Sequence, residues 1–334
     1  MTTTVIIATL NRPECLRRCL QALDAQQTRP DQVIVVDSSR DDRARQVMGH
    51  FPAARYLSVP HLYGRMTASR NAGLMHATGE IIAFLDDDAY AHPGWLKNLL
   101  LAYDSPGVGA VGGRALNNQP GEERTGRDQI GKLKATGFLS GNFAADPGGI
   151  IAVDHIIGCN MSFPRAVIAR LGGFREDFRG LSSLCEDSDM CLRVRALGYT
   201  LLFQPDACVD HVGAPQPAGQ RFNARYQYYH RRNSFLMLIR NFGLSWIVLR
   251  FPVAAAAQAT RDFLRGIASA SGRLTASLAG LAVGLASGIR AAAGERLDPV
   301  RHDAAARQLR AALKANAMRQ ENLEITGKHP IVGH

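Results

Sequence analysis

Several features that commonly reveal the class of a protein are missing from this chain of 334 residues. Its six cysteines include no zinc-type CxxC pair, so we interpret them as small buried hydrophobic residues and assign them no chemistry. No dense run of lysine and arginine and no ladder of basic and aromatic residues is present, which argues against a nucleic-acid partner. The amino terminus reaches polar residues too early for the apolar core of a secretory signal, and we therefore expect a cytosolic protein.

Positive charge is what the chain has in excess. The formal net charge is +10 and the isoelectric point is near 9.6, while the hydrophobic content of 46% and the charged content of 20% are ordinary. Such a composition excludes wholesale disorder. The basic balance indicates anionic partners, and we favour a phospholipid surface or phosphorylated substrates over nucleic acid.

Short apolar segments alternate with helical segments in the first half of the chain, which predicts a mainly parallel sheet flanked by helices. Strands are predicted over residues 5–8, 32–37, 54–58, 81–85 and 108–113. Helices are predicted over residues 14–26, 40–50, 66–77, 94–103 and 164–171, the last of them closed by a turn at 172–174. The predicted fold class is α/β, Rossmann-like, with a helical appendage at the carboxyl-terminal end.

Three adjacent carboxylates follow the predicted strand at 81–85. Asp86, Asp87 and Asp88 repel one another, and a divalent, oxygen-preferring cation such as Mg²⁺ or Mn²⁺ would neutralise them, with substrate phosphates as further ligands. Acidic clusters on loops are also found as solvated turn residues, so that alternative stays open at this point.

Polar residues also follow the first two predicted strands. Thr9, Asn11 and Arg12 come after the first strand, and Asp37 ends the second. Because parallel neighbours place their carboxyl ends at one edge, where ligands bind in open α/β sheets, we expect these residues to build a nucleoside pocket. The acidic triplet would then hold a diphosphate through the cation.

A second acidic cluster, Glu186 and Asp187, starts a predicted helix that stops at Gly198. Acidic residues at a helix start are favoured by capping and by the helix dipole, so a purely structural role is one interpretation. Beside a diphosphate site, a carboxylate here is also a candidate general base, a role worth about 10² to 10⁴ in rate.

Residues 117–149 are rich in glycine, asparagine and proline, and we predict a long excursion that acts as a lid over the active edge.

A basic, aromatic helix is predicted over 221–241, and a polar helix over 304–318. Between them lie two apolar stretches, 244–259 and 274–289, both shorter than the roughly 20 residues that span a bilayer. Their flanking arginines favour an interfacial, monotopic segment, and a soluble helical hairpin is the alternative. Gly280, Gly284 and Gly288 would allow close helix contact and self-association.

Six segments, taken in this order, closely resemble the family 2 inverting glycosyltransferases of the GT-A fold. They are ATLNR at 8–12, VVDSS at 35–39, ASRNAG at 68–73, FLDDD at 84–88, GGF at 172–174 and EDSDMCLR at 186–193. The resemblance extends over about residues 3–213. It implies a catalytic domain at 1–215, with a donor half at about 1–115 and an acceptor half at 150–215, followed by a helical region at 216–334.

On the donor side, the resemblance implies that Thr9 and Asp37 contact the nucleoside, while Arg70 lines the pocket for the base and the pyrophosphate. Asp86 and Asp88 would be the outer members of a DxD-type motif around Asp87, with Asp88 as the main ligand of Mn²⁺ or Mg²⁺.

On the acceptor side, the resemblance makes Asp187 the general base, while Glu186 would orient it or meet the acceptor. Related transferases place a histidine on the metal near the position of His211, although a lone histidine is also often a structural residue.

The implied enzyme is a hexosyl- or deoxyhexosyltransferase that moves a sugar from a nucleoside-diphosphate donor to a glycan or lipid-linked glycan acceptor. It would act in cell-surface polysaccharide synthesis, at the cytoplasmic face of the cell membrane. Two other classes remain as alternatives: a phosphohydrolase or phosphotransferase that uses the aspartate cluster, and a noncatalytic nucleotide-sugar-binding relative.

Overall fold

The computed structural model describes residues 1–134, 137, 139–178, 184–213, 225–226, 228–243, 307–318 and single positions between 279 and 289. Its strands are β1 (Thr3–Thr9), β2 (Gln32–Asp37), β3 (Arg55–Ser58), β4 (Ile81–Asp86), β5 (Ala89–Ala91), β6 (Val108–Leu116), β7 (Ile151–Val153), β8 (Asn160–Pro164) and β9 (Thr200–His211). Its helices are α1 (Pro13–Asp24), α2 (Arg43–Met48), α3 (Met66–Leu74), α4 (Trp95–Leu101), α5 (Arg165–Leu171) and α6 (Glu186–Ala196), and residues 228–243 and 307–318 are also helical.

A mixed sheet forms the centre of the molecule, in the order β3-β2-β1-β4-β8-β6-β9-β5, with β7 paired to β9. The first four strands in this order are parallel, and most of their Val, Ile, Leu and Phe side chains are buried because helices cover the sheet. In the register of β1, Thr9 lies opposite Asp37 of β2, and Ala8 lies opposite Asp86 of β4. The three strand ends therefore meet at one edge, as the sequence predicted.

The flanking helices follow from apolar spacing and from their ends. α1 begins with proline, whose missing N–H costs nothing in the first turn, and buries Leu16, Cys19, Leu20 and Leu23 on one face. The predicted strands and helices of the first half are confirmed, with ends that differ by a few residues. Two three-residue strands, β5 and β7, were not predicted, and both pair antiparallel with β9.

The excursion at 117–149 joins the main core at two places, near residue 130 and at 143–145. Ile130, Phe143 and Ala145 belong to the main core, and the ring of Phe143 meets the ring of His155 edge-on at 5.2 Å. The backbone N–H of Ala115 in β6 donates to the carbonyl of Phe143 at 3.0 Å. The predicted role of the excursion as a lid stays a prediction.

Two helical segments near the carboxyl-terminal end also pack on this body. Residues 228–243 bury Leu236 and Ile239 with Phe178 in a second apolar cluster, and residues 307–318 insert Leu309 and Leu313 into the main core. Across the described positions, no helix is both long and apolar enough to cross a membrane. The predicted apolar stretch at 244–259 lies outside the described residues, and 274–289 is described only at single positions.

Candidate active site

The outer members of the acidic triplet converge with the histidine that ends β9. One ligand atom from each of Asp86, Asp88 and His211 lies within 4.8 Å of the others. Strand pairing fixes this arrangement, because Ala89 of β5 lies opposite His211, and the backbone N–H of Val212 donates to the carbonyl of Asp88 at 3.1 Å. Among the residues that the structure describes, this is the only such group of three potential ligands.

The donor set of this group fits a divalent cation. Two carboxylates and one imidazole, all at least partly buried, offer hard oxygen ligands with one nitrogen, a combination suited to Mn²⁺ or Mg²⁺. The Nε2 atom of His211 lies 3.7 Å from the Oδ1 atom of Asp88. Burial alone would raise the pKa of Asp86, but the charges of Arg70, His211 and Arg12 outweigh it and lower that pKa. Asp86 is therefore held in its anionic, metal-binding form.

The middle carboxylate of the triplet turns away from this group. Asp87 is fully buried, and its Oδ2 atom accepts from the hydroxyl of Thr9 at 2.6 Å and from Nε of Arg12 at 3.1 Å. Burial raises the pKa of Asp87 to about 7 despite the attraction of Arg12. Arg12 also donates to Asp88 at 3.0 Å. Thr9 and Arg12, which were expected to contact the nucleotide, hold the acidic turn in place in this structure.

The loops after β1 and β2 are tied together at the same edge. Asp37 is 1% exposed and accepts from the backbone N–H of Ser39 at 2.8 Å and from the hydroxyl of Tyr56 at 2.7 Å. Asn11 adopts a left-handed φ of 56°, and its backbone N–H donates to the hydroxyl of Ser39 at 2.7 Å. The amide of Asn11 donates to the hydroxyl of Tyr63 at 3.2 Å. Neither tyrosine was predicted. Tyr56 could have been found, because it lies on the predicted strand that pairs with the strand ending at Asp37.

Arg70 of α3 joins the two acidic motifs. Its guanidinium is buried and donates to Asp86 at 2.9 Å, to Glu186 at 2.8 Å and to the carbonyl of Gly158 at 3.1 Å. Burial would lower the pKa of Arg70, but the neighbouring carboxylates raise it, so the side chain is a permanent cation. The pKa of Glu186 is raised well above its usual value, because burial and the charge of Asp187 outweigh the attraction of Arg70.

Asp187 is fixed at the start of α6 by backbone donors. Its Oδ2 atom accepts from the N–H of Gly158 at 2.9 Å, and its Oδ1 atom accepts from the N–H of Ser188 at 2.6 Å. A side chain on Gly158 would place its Cβ 3.2 Å from Oδ2 of Asp187, so the close approach favours glycine. Asp187 is half-buried, unlike the buried Glu186, and a carboxylate oxygen has lone pairs beyond those that meet the backbone donors. This geometry suits a proton acceptor.

Comparison with known proteins assigns the chain to a family. The model of Glycosyl transferase family 2 matches residues 4–172. Among curated relatives, a pre-mycofactocin glycosyltransferase of Mycobacterium tuberculosis is 30% identical over 217 residues, which cover 62% of this chain and 42% of that protein. The succinoglycan biosynthesis protein ExoM of Rhizobium meliloti is 28% identical over 221 residues, which cover 63% and 66% of the two chains. The first of these matches therefore spans less than half of the relative.

Solved structures show the same fold. A mannosyltransferase from Pyrobaculum calidifontis, in complex with GDP-Man and Mn²⁺, has a TM-score of 0.55 at 21% identity, with coverage of 95% of this chain and 86% of that one. Residues 1–349 of TarS from S. aureus give a TM-score of 0.54 at 14% identity, with coverage of 99% and 93%. The mixed sheet with its flanking helices is thus a GT-A fold, and the chain belongs to glycosyl transferase family 2.

Proposed function

We propose that the protein is a cation-dependent, inverting glycosyltransferase. It moves a hexosyl or deoxyhexosyl group from a nucleoside-diphosphate sugar to a hydroxyl of a glycan or lipid-linked glycan. The observation that carries this proposal is the convergence of Asp86, Asp88 and His211, linked through the buried Arg70 to the motif that contains Asp187. The family match and the GDP-Man and Mn²⁺ of the Pyrobaculum enzyme support it.

The proposed roles follow from burial and contacts. Asp86, Asp88 and His211 would hold Mn²⁺ or Mg²⁺, which supplies positive charge to the departing diphosphate. Asp187 takes the proton of the acceptor hydroxyl, and attack opposite the leaving group inverts the anomeric centre. Arg70 is 1% exposed, so we assign it a positioning role between Asp86 and Glu186 in place of the expected contact with the pyrophosphate.

The nucleoside would bind at the edge formed by the loops after β1 and β2. One hydrogen bond joins Asn11 and Ser39 there, and Asp37 accepts from the backbone N–H of Ser39. We assign Thr9, Arg12 and Asp87 to the support of this edge, because their polar atoms already meet one another.

An assay of donor use would identify the sugar and the base of the donor. The protein is incubated with Mn²⁺ and each of UDP-glucose, GDP-mannose and dTDP-rhamnose, and release of the nucleoside diphosphate is measured.

Two substitutions divide the proposed roles. Asp88→Ala should abolish transfer and remove the Mn²⁺ dependence of donor binding, whereas Asp24→Ala, an exposed change on α1, should leave both intact. Normal activity of Asp88→Ala in chelator would refute the metal site.

Asp187→Asn should keep donor affinity and lower turnover at least about a hundredfold, as expected for the loss of a general base. Equal losses of donor affinity and turnover in Asp187→Asn would refute the base, and release of inorganic phosphate would favour a phosphohydrolase.

For the helical region we propose attachment to the cytoplasmic face of a membrane near a lipid-linked acceptor, supported by the arginines that flank the apolar stretches. The full-length chain should float with anionic liposomes at low salt and less at high salt. Arg273→Gln with Arg290→Gln should weaken flotation, by about 1 kcal/mol per charge that lies near the surface. A full-length chain that floats under neither condition would contradict the proposal and favour self-association through Gly280.

A further inference from the structure

The hydroxyl of Ser188 lies between Asp187 and a buried histidine, His155, which belongs to none of the motifs discussed above. The hydroxyl of Ser188 lies 3.3 Å from Oδ1 of Asp187 and 3.2 Å from Nδ1 of His155. The other ring nitrogen of His155, Nε2, lies 2.9 Å from the backbone carbonyl of Ser140 in the excursion at 117–149. His155 is 6% exposed and Ser188 is equally buried, so bulk water does not compete strongly for these contacts.

The carbonyl of Ser140 fixes the tautomer of the ring. A backbone carbonyl only accepts, so Nε2 of His155 must carry a proton for this contact to be a hydrogen bond. In the neutral imidazole, Nδ1 is then an acceptor, and the hydroxyl of Ser188 must donate to it. Burial lowers the pKa of His155 and so favours the neutral ring. Among the described residues, the charged groups that act on the ring are the carboxylates of Asp187 and Asp154, and Asp187 itself interacts with Glu186 and Arg70.

The single proton of the Ser188 hydroxyl cannot serve two acceptors. While this proton points to Nδ1 of His155, the backbone N–H of Ser188 is the one donor among the described residues that meets Oδ1 of Asp187. A further hydrogen bond to a carboxylate stabilises the charged form and lowers its basicity. We propose that His155 is a positioning residue for the transfer reaction, which draws the Ser188 hydroxyl away from Asp187 and so preserves the basicity of that carboxylate. This inference rests on the proposed role of Asp187 as the base.

The test is a pair of substitutions in the full chain, assayed with whichever of UDP-glucose, GDP-mannose and dTDP-rhamnose is turned over in the presence of Mn²⁺. His155→Phe keeps an aromatic ring against Phe143 and removes the acceptor. The Ser188 hydroxyl should then turn to Asp187, shift the acid limb of the kcat profile to lower pH and reduce kcat at neutral pH. The reduction should stay below about a hundredfold, the lower end of what a general base contributes. KM for the donor should not change.

A double-mutant cycle separates this role from simple packing. In the Ser188→Ala background there is no hydroxyl proton to redirect, so adding His155→Phe should not move the acid limb further. A purely structural His155 would lower kcat equally in both backgrounds and leave the acid limb in place, which would overturn the proposal. If Asp187→Asn retains turnover, the assignment of Asp187 as the base fails. If Asp187→Asn is inactive and His155→Phe does not shift the acid limb, only the proposed role of His155 fails.

A second measurement needs no substrate. Long-range ¹H–¹⁵N spectra of histidine-labelled protein, with His155→Phe used to assign the signal, should show His155 as the Nε2–H tautomer at neutral pH. An Nδ1–H tautomer, or a charged ring at that pH, would leave Ser188 free to donate to Asp187 and would overturn the inference.

Discussion

At the scale of single residues, chemically identical groups in the site have different partners. Of the three adjacent aspartates, Asp86 and Asp88 face His211, whereas Asp87 faces Thr9 and Arg12. The sequence predicted the carboxylates and the edge at which they lie, because both depend on local patterns. It did not predict the inward turn of Asp87, since that depends on side chains distant along the chain.

Glu186 provides a prediction at this scale. Folding raises the pKa of its carboxyl, so the folded state holds the proton more tightly than the unfolded state, and stability falls as pH rises above the ordinary glutamate pKa. Glu186→Gln keeps an acceptor for Arg70 and removes this titration. Its free energy of unfolding relative to the wild type should therefore increase from pH 5 to pH 8, by about 1.4 kcal/mol for each unit of pKa difference within that window.

Urea titrations at pH 5, 6.5 and 8 would measure this difference. Glu14→Gln is the matched control, because it makes the same chemical change at an exposed position on α1. A constant difference for Glu186→Gln across the three pH values would contradict the assigned electrostatics.

At the scale of elements, apolar runs were sufficient to predict the parallel strands and were insufficient for strands of three residues. β1, β2 and β4 are continuous apolar segments, which is the pattern of strands buried on both faces. β5 and β7 are too short for any periodicity and exist because β9 supplies hydrogen-bond partners at both places. The contacts of Arg70 were also not predicted, because helical spacing within α3 does not reveal that Asp86 and Glu186 both lie within reach of its guanidinium.

The turn after α5 allows a controlled test of close packing. Gly173 has a φ of 82°, and an added Cβ would lie 2.4 Å from Cδ2 of Leu309 and 2.7 Å from Oδ1 of Asn71. Gly148 has a φ of 81° with nothing within 4 Å. Gly148→Ala should cost about 1 to 2 kcal/mol for the left-handed backbone alone. Gly173→Ala should add about 1 to 3 kcal/mol of overpacking. Equal urea midpoints for the two variants would contradict the contact with Leu309.

At the scale of the whole molecule, the helix at 307–318 is hydrogen-bonded to α5 and to the turn that follows α3. Arg310 donates to the carbonyls of Ala169 and Arg170 in α5, at 3.1 Å each. Asn316 donates to the carbonyls of Met75 and Ala77 beyond α3, also at 3.1 Å. The last carbonyls of a helix lack partners within it, so Arg310 satisfies two groups that α5 leaves open, while Asn316 binds the turn that follows α3. α3 carries Arg70, so residues 307–318 support the site from outside it.

This docking predicts that the tail matters for stability as well as for any membrane contact. Leu313 is 1% exposed, and Leu313→Ala should lower the free energy of unfolding by about 2 to 5 kcal/mol. Lys314→Ala, at an exposed position of the same helix, should change it little. Thermal unfolding of the two variants measures the difference, and equal Tm values would show that Leu313 is not buried in solution. A truncation at residue 244 would remove Leu309 and Leu313 from the main core and should therefore destabilise the fold.

During synthesis, the acidic turn leaves the ribosome well before His211 has been made. At about 5 to 20 residues per second, roughly ten seconds separate the two. Arg12 and Arg70 both precede the turn, so its counter-charges are present in the nascent chain from the moment the three aspartates appear. The first parallel strands can therefore form around their own cations, whereas the group of three potential metal ligands is complete only once β9 has been translated.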